Sequence, residues 1–373
     1  MLKCLITLFS IAFGSCCASN SAPLNAAIVV NAKTGGILYA HNIDDKTQPA
    51  SIAKMMTLLI TFRQLKQKAI RLDTMIKVSA NAASQSPCKL GVKCGDSISV
   101  LDAILAMVTK SANDITIALA EHLGRGSLQR FVDMMNKETK RLRMTSTVFL
   151  NPSGWKDPNQ LTTARDIAKL SRALLVEYPE YYHFFSTKNF SFKKQIYKNH
   201  NTLLGTKNGV VVDGIKTGFI NASGYNTAVS AKKGQDRLIV VFFGGKSARQ
   251  RDQAVAELLK DGFEKLSARR KATLLAKCVK KSSDSTSPEK HLKNSKLDAL
   301  KKLLKEKKMP MTKTQQNRSV ERHQLLKNIL QQKNVPQSSV SQSNTTATKV
   351  HVKTIISDQH DVQSQSVSEK RKK

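Results

Sequence analysis

Two apolar runs near the start of the chain, Ala26-Ala-Ile-Val-Val-Asn31 and Ile37-Leu-Tyr-Ala40, flank a Lys-Thr-Gly-Gly turn and predict a β-hairpin. Apolar residues then recur at helical spacing over residues 55–66, 100–109 and 114–123. Residues 225–231 and 237–243 read as a second pair of strands around a Lys-Lys-Gly-Gln turn, and residues 253–265 as a closing amphipathic helix. Strands and helices interleave over residues 25–265, which predicts one mixed α/β domain long enough to bury a full core.

Beyond residue 268 the pattern changes. Lysine, serine, glutamine and asparagine dominate residues 266–373, and no alternating run announces a second core, so a largely disordered basic tail is expected. Residues 295–308 are an exception: they set Leu297, Leu300, Leu303 and Leu304 on one helical face and lysines on the other. Residues 324–331 repeat the idea more weakly. A helix of this kind can lie on an anionic membrane, gaining about 1 kcal/mol per lysine near the surface. The alternative is a solvated charged tail with transient helix.

The opposite end carries one lysine (Lys3), an apolar run over residues 5–13 and a close of small residues, Gly14-Ser-Cys-Cys-Ala18. That layout predicts a signal peptide over residues 1–18, too short to span a bilayer, with cleavage after Ala18 or as late as Ala22. A lipoprotein reading through Cys16 is the alternative, and Phe13 fits it poorly. Lys and Arg number 61 against 27 Asp and Glu, a formal net charge of +34, which draws the protein to polyanions. Export argues against nucleic acid and leaves an anionic lipid surface or a wall polymer. The expected location is the periplasm or the outer face of the cytoplasmic membrane.

Cys88, Cys94 and Cys278 survive such a cleavage. Cys88 and Cys94 close a short loop around Gly91 and are the disulfide candidate in an oxidising envelope, with two unpaired thiols as the alternative. Neither cysteines nor histidines fall at metal-ligand spacing, so no metal and no cofactor is expected.

Three short strings carry the chemistry, in this order: Ser51-Ile-Ala-Lys54, Ser111-Ala-Asn113 and Lys216-Thr217-Gly218. They supply a nucleophile with an amine one helical turn away, a hydroxyl–amide pair, and a cationic strand able to hold a carboxylate. Each string is cheap alone. Ser-x-x-Lys also occurs at Ser86, Ser191, Ser230 and Ser287, a second Lys-Thr-Gly at Lys33, and a second Ser-Ala-Asn at Ser79. Context chooses among them. Ser51 opens an apolar helix that pulls Lys54 towards a buried face, whereas Ser86 lies in the cysteine loop, Ser230 on a strand and Ser287 in the tail. Lys33 sits in the hairpin turn, and Ser79 reads as a surface turn. Ser111 sits between two apolar helices, able to point into a cleft. To be neutral near pH 7, Lys54 must fall roughly three pH units below the usual lysine value, at about 4 kcal/mol. Desolvation plus a second cation can supply that, and Lys216 is the candidate cation. Gly218 lets a substrate backbone approach the strand, and the Phe219 amide is the natural second oxyanion donor beside one of the unpaired amides at the helix N-terminus.

These strings, with Asn151-Pro-Ser-Gly154, Thr162-Thr-Ala-Arg-Asp166 and Asp213-Gly-Ile-Lys-Thr-Gly218 followed by Ala222-Ser-Gly-Tyr225, resemble the serine-type D-alanyl-D-alanine carboxypeptidases of peptidase family S11, the low-molecular-mass penicillin-binding proteins. The resemblance covers residues 25–265. It implies a β-lactamase/transpeptidase-like α/β (α+β) fold, an antiparallel sheet flanked by helices with the site between sheet and helical lobe. It makes Ser51 the acylated serine, Lys54 the base, Ser111 the proton relay and Asn113 a holder of the substrate amide. Lys216 and Thr217 would bind the terminal carboxylate, with Arg251 a weaker candidate, and the Ser51 amide would be the first oxyanion donor beside that of Phe219. Two positions depart from the pattern. Phe219 stands where a histidine is often found, and His200 stands where some members carry arginine.

The expected activity is removal of the terminal D-alanine from peptidoglycan stem pentapeptides through a Ser51 acyl-enzyme, with β-lactams as inhibitors. A D,D-endopeptidase cutting cross-links and a non-catalytic envelope-tethering protein are the alternatives. A β-lactamase is disfavoured, because residues 151–160 offer no glutamate to drive deacylation.

Overall fold

The computed structural model describes residues 25–155 and 157–283. The leader expected over residues 1–18 and the amphipathic stretches at 295–308 and 324–331 lie outside the described residues.

Alternation of apolar side chains along the strands builds two cores on one sheet. The hairpin β1 (Ala26–Asn31) and β2 (Ile37–His41) forms as expected, with Asn31 Oδ1 accepting from the amides of Lys33 and Thr34 across the turn. That accounts for the first Lys-Thr-Gly string. A 3-10 turn, Ala50–Ala53, runs directly into α1 (Lys54–Lys66). Ser51 therefore lies in this tighter turn and not in the first turn of an α-helix.

The helical lobe follows. The two-stranded pair β3 (Met75–Lys77) and β4 (Ser97–Ser99) brackets the short α2 (Ala80–Ala83). Ser79 caps that helix by accepting from the Ala82 amide and donates to Glu121, so the second Ser-Ala-Asn string opens a helix instead of forming a turn. Next come α3 (Val100–Thr109), α4 (Asn113–Leu123), α5 (Leu128–Arg141) and α6 (Ala164–Glu177). A small hairpin, β5 (Asn189–Phe192) and β6 (Gln195–Lys198), leads back to the sheet.

The chain then lays down β7 (Gly205–Lys207), β8 (Val210–Ile220), β9 (Gly224–Lys233) and β10 (Asp236–Gly245). The six-stranded antiparallel sheet has the order β2-β1-β10-β9-β8-β7, so the first hairpin pairs with the last strand, Ala26 opposite Phe243. Ile28, Val30, Ile239, Val241 and Phe243 face the helical lobe, whereas Val29, Leu238, Val240 and Phe242 face α7 (Ala248–Ser283). Period-2 alternation in β1 and β10 thus feeds both layers at once. The helix α7 covers its face with Ala254, Val255, Leu258, Leu259, Phe263 and Leu266. It continues well past the expected end at residue 265, because no glycine or proline interrupts the alanine-, lysine- and arginine-rich run that follows. Among the described residues no helix is long and apolar enough to cross a membrane.

Candidate active site

Sheet and helical lobe meet along β8, and a cleft of about 820 Å³ opens there, lined by residues from all three strings. The 3-10 turn presents Ser51 at its floor. Two glycines permit this fit: a Cβ on Gly154 (φ +83°) would lie 1.7 Å from the Ala50 carbonyl oxygen, and one on Gly218 would lie 3.1 Å from the Ser51 nitrogen. The β8 edge and the loop after Phe149 are therefore moulded to the serine turn.

Lys54, one turn on, is fully buried. Its Nζ is 3.0 Å from Ser51 Oγ, 2.7 Å from Asn113 Oδ1 and 2.8 Å from the Ser153 carbonyl oxygen. Burial first, and the Lys216 charge second, hold its pKa well below the ordinary lysine value. Asp114, and a negative charge on Cys88 when present, pull the other way. The ammonium is thus dry and crowded by another cation, the condition its use as a base requires.

The second string turns between α3 and α4. Ser111 adopts a left-handed backbone (φ 61°), and its Oγ is buried without a hydrogen-bond partner. Asn113 heads α4 and ties the lobe together. Its side-chain amide donates to the Pro87 carbonyl (2.7 Å), its backbone amide donates to the Cys88 carbonyl (2.7 Å), and its Oδ1 faces Lys54. Asp114 beside it accepts from the amides of Leu90 (3.0 Å) and Gly91 (2.8 Å). These bonds hold the loop of residues 87–91 against α4. The disulfide expected between Cys88 and Cys94 is absent. Both thiols are free and exposed, and the loop is fastened by its backbone to α4 instead.

The third string lies in β8. Lys216 is 2% exposed, and its Nζ donates to the Thr217 carbonyl (2.9 Å), so it sits behind the cleft wall that Thr217, Gly218 and Phe219 form. Burial pushes its pKa down to about 7, and Arg251 adds to the drop. Arg251 lines the cleft although only 3% exposed. Its Nε donates to Asp252 Oδ1 (2.8 Å), while its Nη2, equally close to that oxygen, is outside hydrogen-bonding geometry. His200 lines the same cleft, and burial followed by the charges of Lys216, Lys110, Arg251 and Lys54 pushes it down to about 4, leaving a neutral ring at pH 7. Phe219 is 47% exposed, and its ring packs 4.3 Å from that of Tyr225, giving the cleft an aromatic patch; Trp155 lines the same cleft.

The fold therefore brings Ser51, Lys54, Ser111, Asn113, Lys216, Thr217, Gly218, Phe219 and Arg251 to one place. The Ser153 and Pro87 carbonyls were missed, because a backbone acceptor leaves no residue-type signal. Trp155, the chain's one tryptophan, directly follows the Asn-Pro-Ser-Gly turn, and that position was the available clue. Among the described residues no group of three or more His, Cys, Asp or Glu is placed to hold a metal ion.

Comparison with known proteins bears on the same region. The family described as peptidase S11, D-alanyl-D-alanine carboxypeptidase, matches residues 18–247. The D-alanyl-D-alanine carboxypeptidase DacC of Escherichia coli is 38% identical over 249 residues, covering 65% of this chain and 62% of that protein's own length. Among solved structures, penicillin binding protein 6B from Escherichia coli superposes with a TM-score of 0.60 at 34% identity, covering 64% of this chain and 77% of its own. Penicillin-binding protein D2 from Listeria monocytogenes, in its ampicillin-bound form, gives 0.56 at 29% identity, covering 65% and 98%.

Proposed function

Because the chain belongs to the peptidase S11 family, we propose that it is a serine D,D-carboxypeptidase that removes the terminal D-alanine from peptidoglycan stem pentapeptides. One observation carries this reading: the buried Nζ of Lys54, held well below its ordinary pKa, 3.0 Å from Ser51 Oγ.

Ser51 Oγ passes its proton to Lys54 and attacks the penultimate carbonyl carbon. The tetrahedral oxyanion lies between the amides of Ser51 and Phe219, each lost donor costing about 10²–10³ in rate. Ser111 Oγ, with no protein partner, relays the proton to the leaving D-alanine nitrogen. Asn113 orients both Lys54 and the substrate amide. Thr217 receives the terminal carboxylate, and Lys216 behind it and Arg251 beside it supply positive charge. Water then hydrolyses the acyl-enzyme with Lys54 again as base. A β-lactam presents the same carbonyl and carboxylate, so it acylates Ser51. The ampicillin-bound relative supports this inhibitor class.

The protein works outside the cytoplasmic membrane, reached through a signal peptide over residues 1–18, and its basic tail adheres to an anionic membrane surface. A fluorescent penicillin read by intact mass is the test. One adduct is expected on the purified protein and none on Ser51→Ala. No adduct, or one that survives in Ser51→Ala, overturns the reading. Digestion of muropeptides then decides the bond: disappearance of monomer pentapeptides is expected, and disappearance of cross-linked dimers alone would make it an endopeptidase.

A further inference from the structure

Cys88 stands at the rim of the acylation cleft with its side chain exposed. It is wired to the catalytic groups by its own backbone. Its carbonyl accepts from the Asn113 amide and the preceding carbonyl, of Pro87, from the Asn113 side chain, while Asn113 Oδ1 faces Lys54. A negative charge on Cys88 is felt by both Lys54 and Lys216, so the sulfur lies within electrostatic range of both amines. Ser111 Oγ, 97% buried and without a protein partner, lines the same cleft, which is therefore built to receive a polar guest. Lys198, Thr202, His200 and Arg251 line the same cleft. Cys94, the other free thiol of the loop, does not line the cleft.

We propose that Cys88 is a reversible modification site, at which exchange with a small anionic disulfide forms a mixed disulfide that closes the cleft to acylation. The proposal rests on the function read above. In the exchange the Cys88 thiolate attacks one sulfur of R–S–S–R, a Cys88 Sγ–S bond forms as the old S–S bond breaks, and RS⁻ leaves. The proton given up by Cys88 ends on the departing thiol or in water, and a reducing dithiol reverses the step. Lys198 and Arg251 favour an anionic disulfide over a cationic one. The adduct blocks in two ways. It occupies the cleft mouth, and it loads the loop that orients Asn113.

The test treats the reduced full-length protein with glutathione disulfide or with cystamine, a cationic disulfide, and follows adducts by peptide mapping and acylation by fluorescent penicillin. Expected is an adduct on Cys88, formed faster with glutathione disulfide, and an acylation rate lowered about 10²-fold, comparable to the loss from a displaced reacting group, then restored by dithiothreitol. Cys88→Ser should acylate at the unmodified rate and ignore both disulfides, whereas Cys94→Ser should remain sensitive. Should Cys88→Ser fail to fold, the wild type still decides: prior acylation of Ser51 by penicillin should shield Cys88 and leave Cys94 reactive. A Cys88–Cys94 disulfide in place of the adduct, an adduct on Cys94 alone, or a Cys88 adduct that leaves acylation unchanged overturns the proposal. If the reduced protein takes no penicillin, the reading of the site fails instead, and the rate and preference of Cys88 modification are still measured.

Discussion

Lys54 has three oxygen neighbours but, once neutral, only two hydrogens. Asn113 Oδ1 and the Ser153 carbonyl can only accept, so they take both, and the lone pair is left facing Ser51 Oγ. The same geometry makes the pH response predictable. On the proposed mechanism, Lys54 loses its proton as pH rises, so acylation should climb, whereas Lys216, pushed down to about 7, loses its charge above that value and carboxylate binding should weaken. kcat/KM for a substrate ending in a free carboxylate should therefore be bell-shaped, and Lys216→Arg should remove the alkaline limb, because a guanidinium does not titrate there. An unchanged alkaline limb would show that Lys216 is not its source. Both amines titrate below their usual 10.5, so between folded and unfolded values the unfolded chain binds more protons. Their contribution to stability accordingly rises with pH through that window, starting near 7 for Lys216. Gly154 is the other residue on which the site turns. Gly154→Ala would drive a methyl into the Ala50 carbonyl from a left-handed backbone, and should cost more than about 2 kcal/mol in a denaturant melt while abolishing acylation.

At the scale of elements, the head of α4 is where the loop of residues 87–91, Lys54 and Ser111 are joined, and Asp114 is the fastening. Its negative charge raises the pKa of Lys54, so Asp114→Asn should shift the ascending limb of the acylation profile to lower pH. A shift in the opposite direction would refute that electrostatic link. Farther from the cleft, the buried Glu138 of α5 pairs with Arg63 of α1 and with Arg141, which also reaches Glu177 of α6. Glu138→Ala should cost about 1–3 kcal/mol in urea unfolding, the guanidiniums keeping some water, while the folded fraction acylates at the normal rate. What could be read from the chain follows the same division. Hairpin, α1, α3, α4 and the last two strands were legible because their periodicity is local, and the hairpin disposed of the Lys33 string. The two helices α5 and α6 were not read, although Leu128, Phe131, Val132 and Met135 recur at helical spacing in α5, and Ile167, Leu170 and Leu174 in α6. What residue types could not show is that Glu138 and Asp166 are buried against partners distant in sequence. Residue types named Ser51, Lys54, Ser111 and Lys216. They could not reveal that Ser51 rides a 3-10 turn, that Lys216 stands behind Thr217, or that Cys88 and Cys94 stay unjoined.

For the whole molecule, the decisive fact is that β1 lies between β2 and β10, so the sheet beneath the site cannot close until the last strand of the domain is in place. The helix α7 seals the far face, and Leu266 is the last buried one among its described side chains, with Arg269, Arg270 and Lys271 already exposed. Among the described residues, every one that lines the cleft or packs in this core lies before residue 268, and the remainder of the chain is rich in lysine. A chain ending at Ala268, which gives up the Arg270–Asp236 ion pair, should melt within about 1 kcal/mol of the full-length protein and react with penicillin at the same rate. If the tail is the membrane-adhering part, the shortened chain should also lose affinity for vesicles containing anionic lipid. Binding of the full-length protein should fall as salt shortens the Debye length below about 10 Å. Leu300→Glu with Leu304→Glu separates the two contributions to adhesion, since it removes the apolar face and keeps every lysine. Vesicle affinity unchanged by that pair would refute an amphipathic anchor and leave electrostatics alone to hold the protein at the surface.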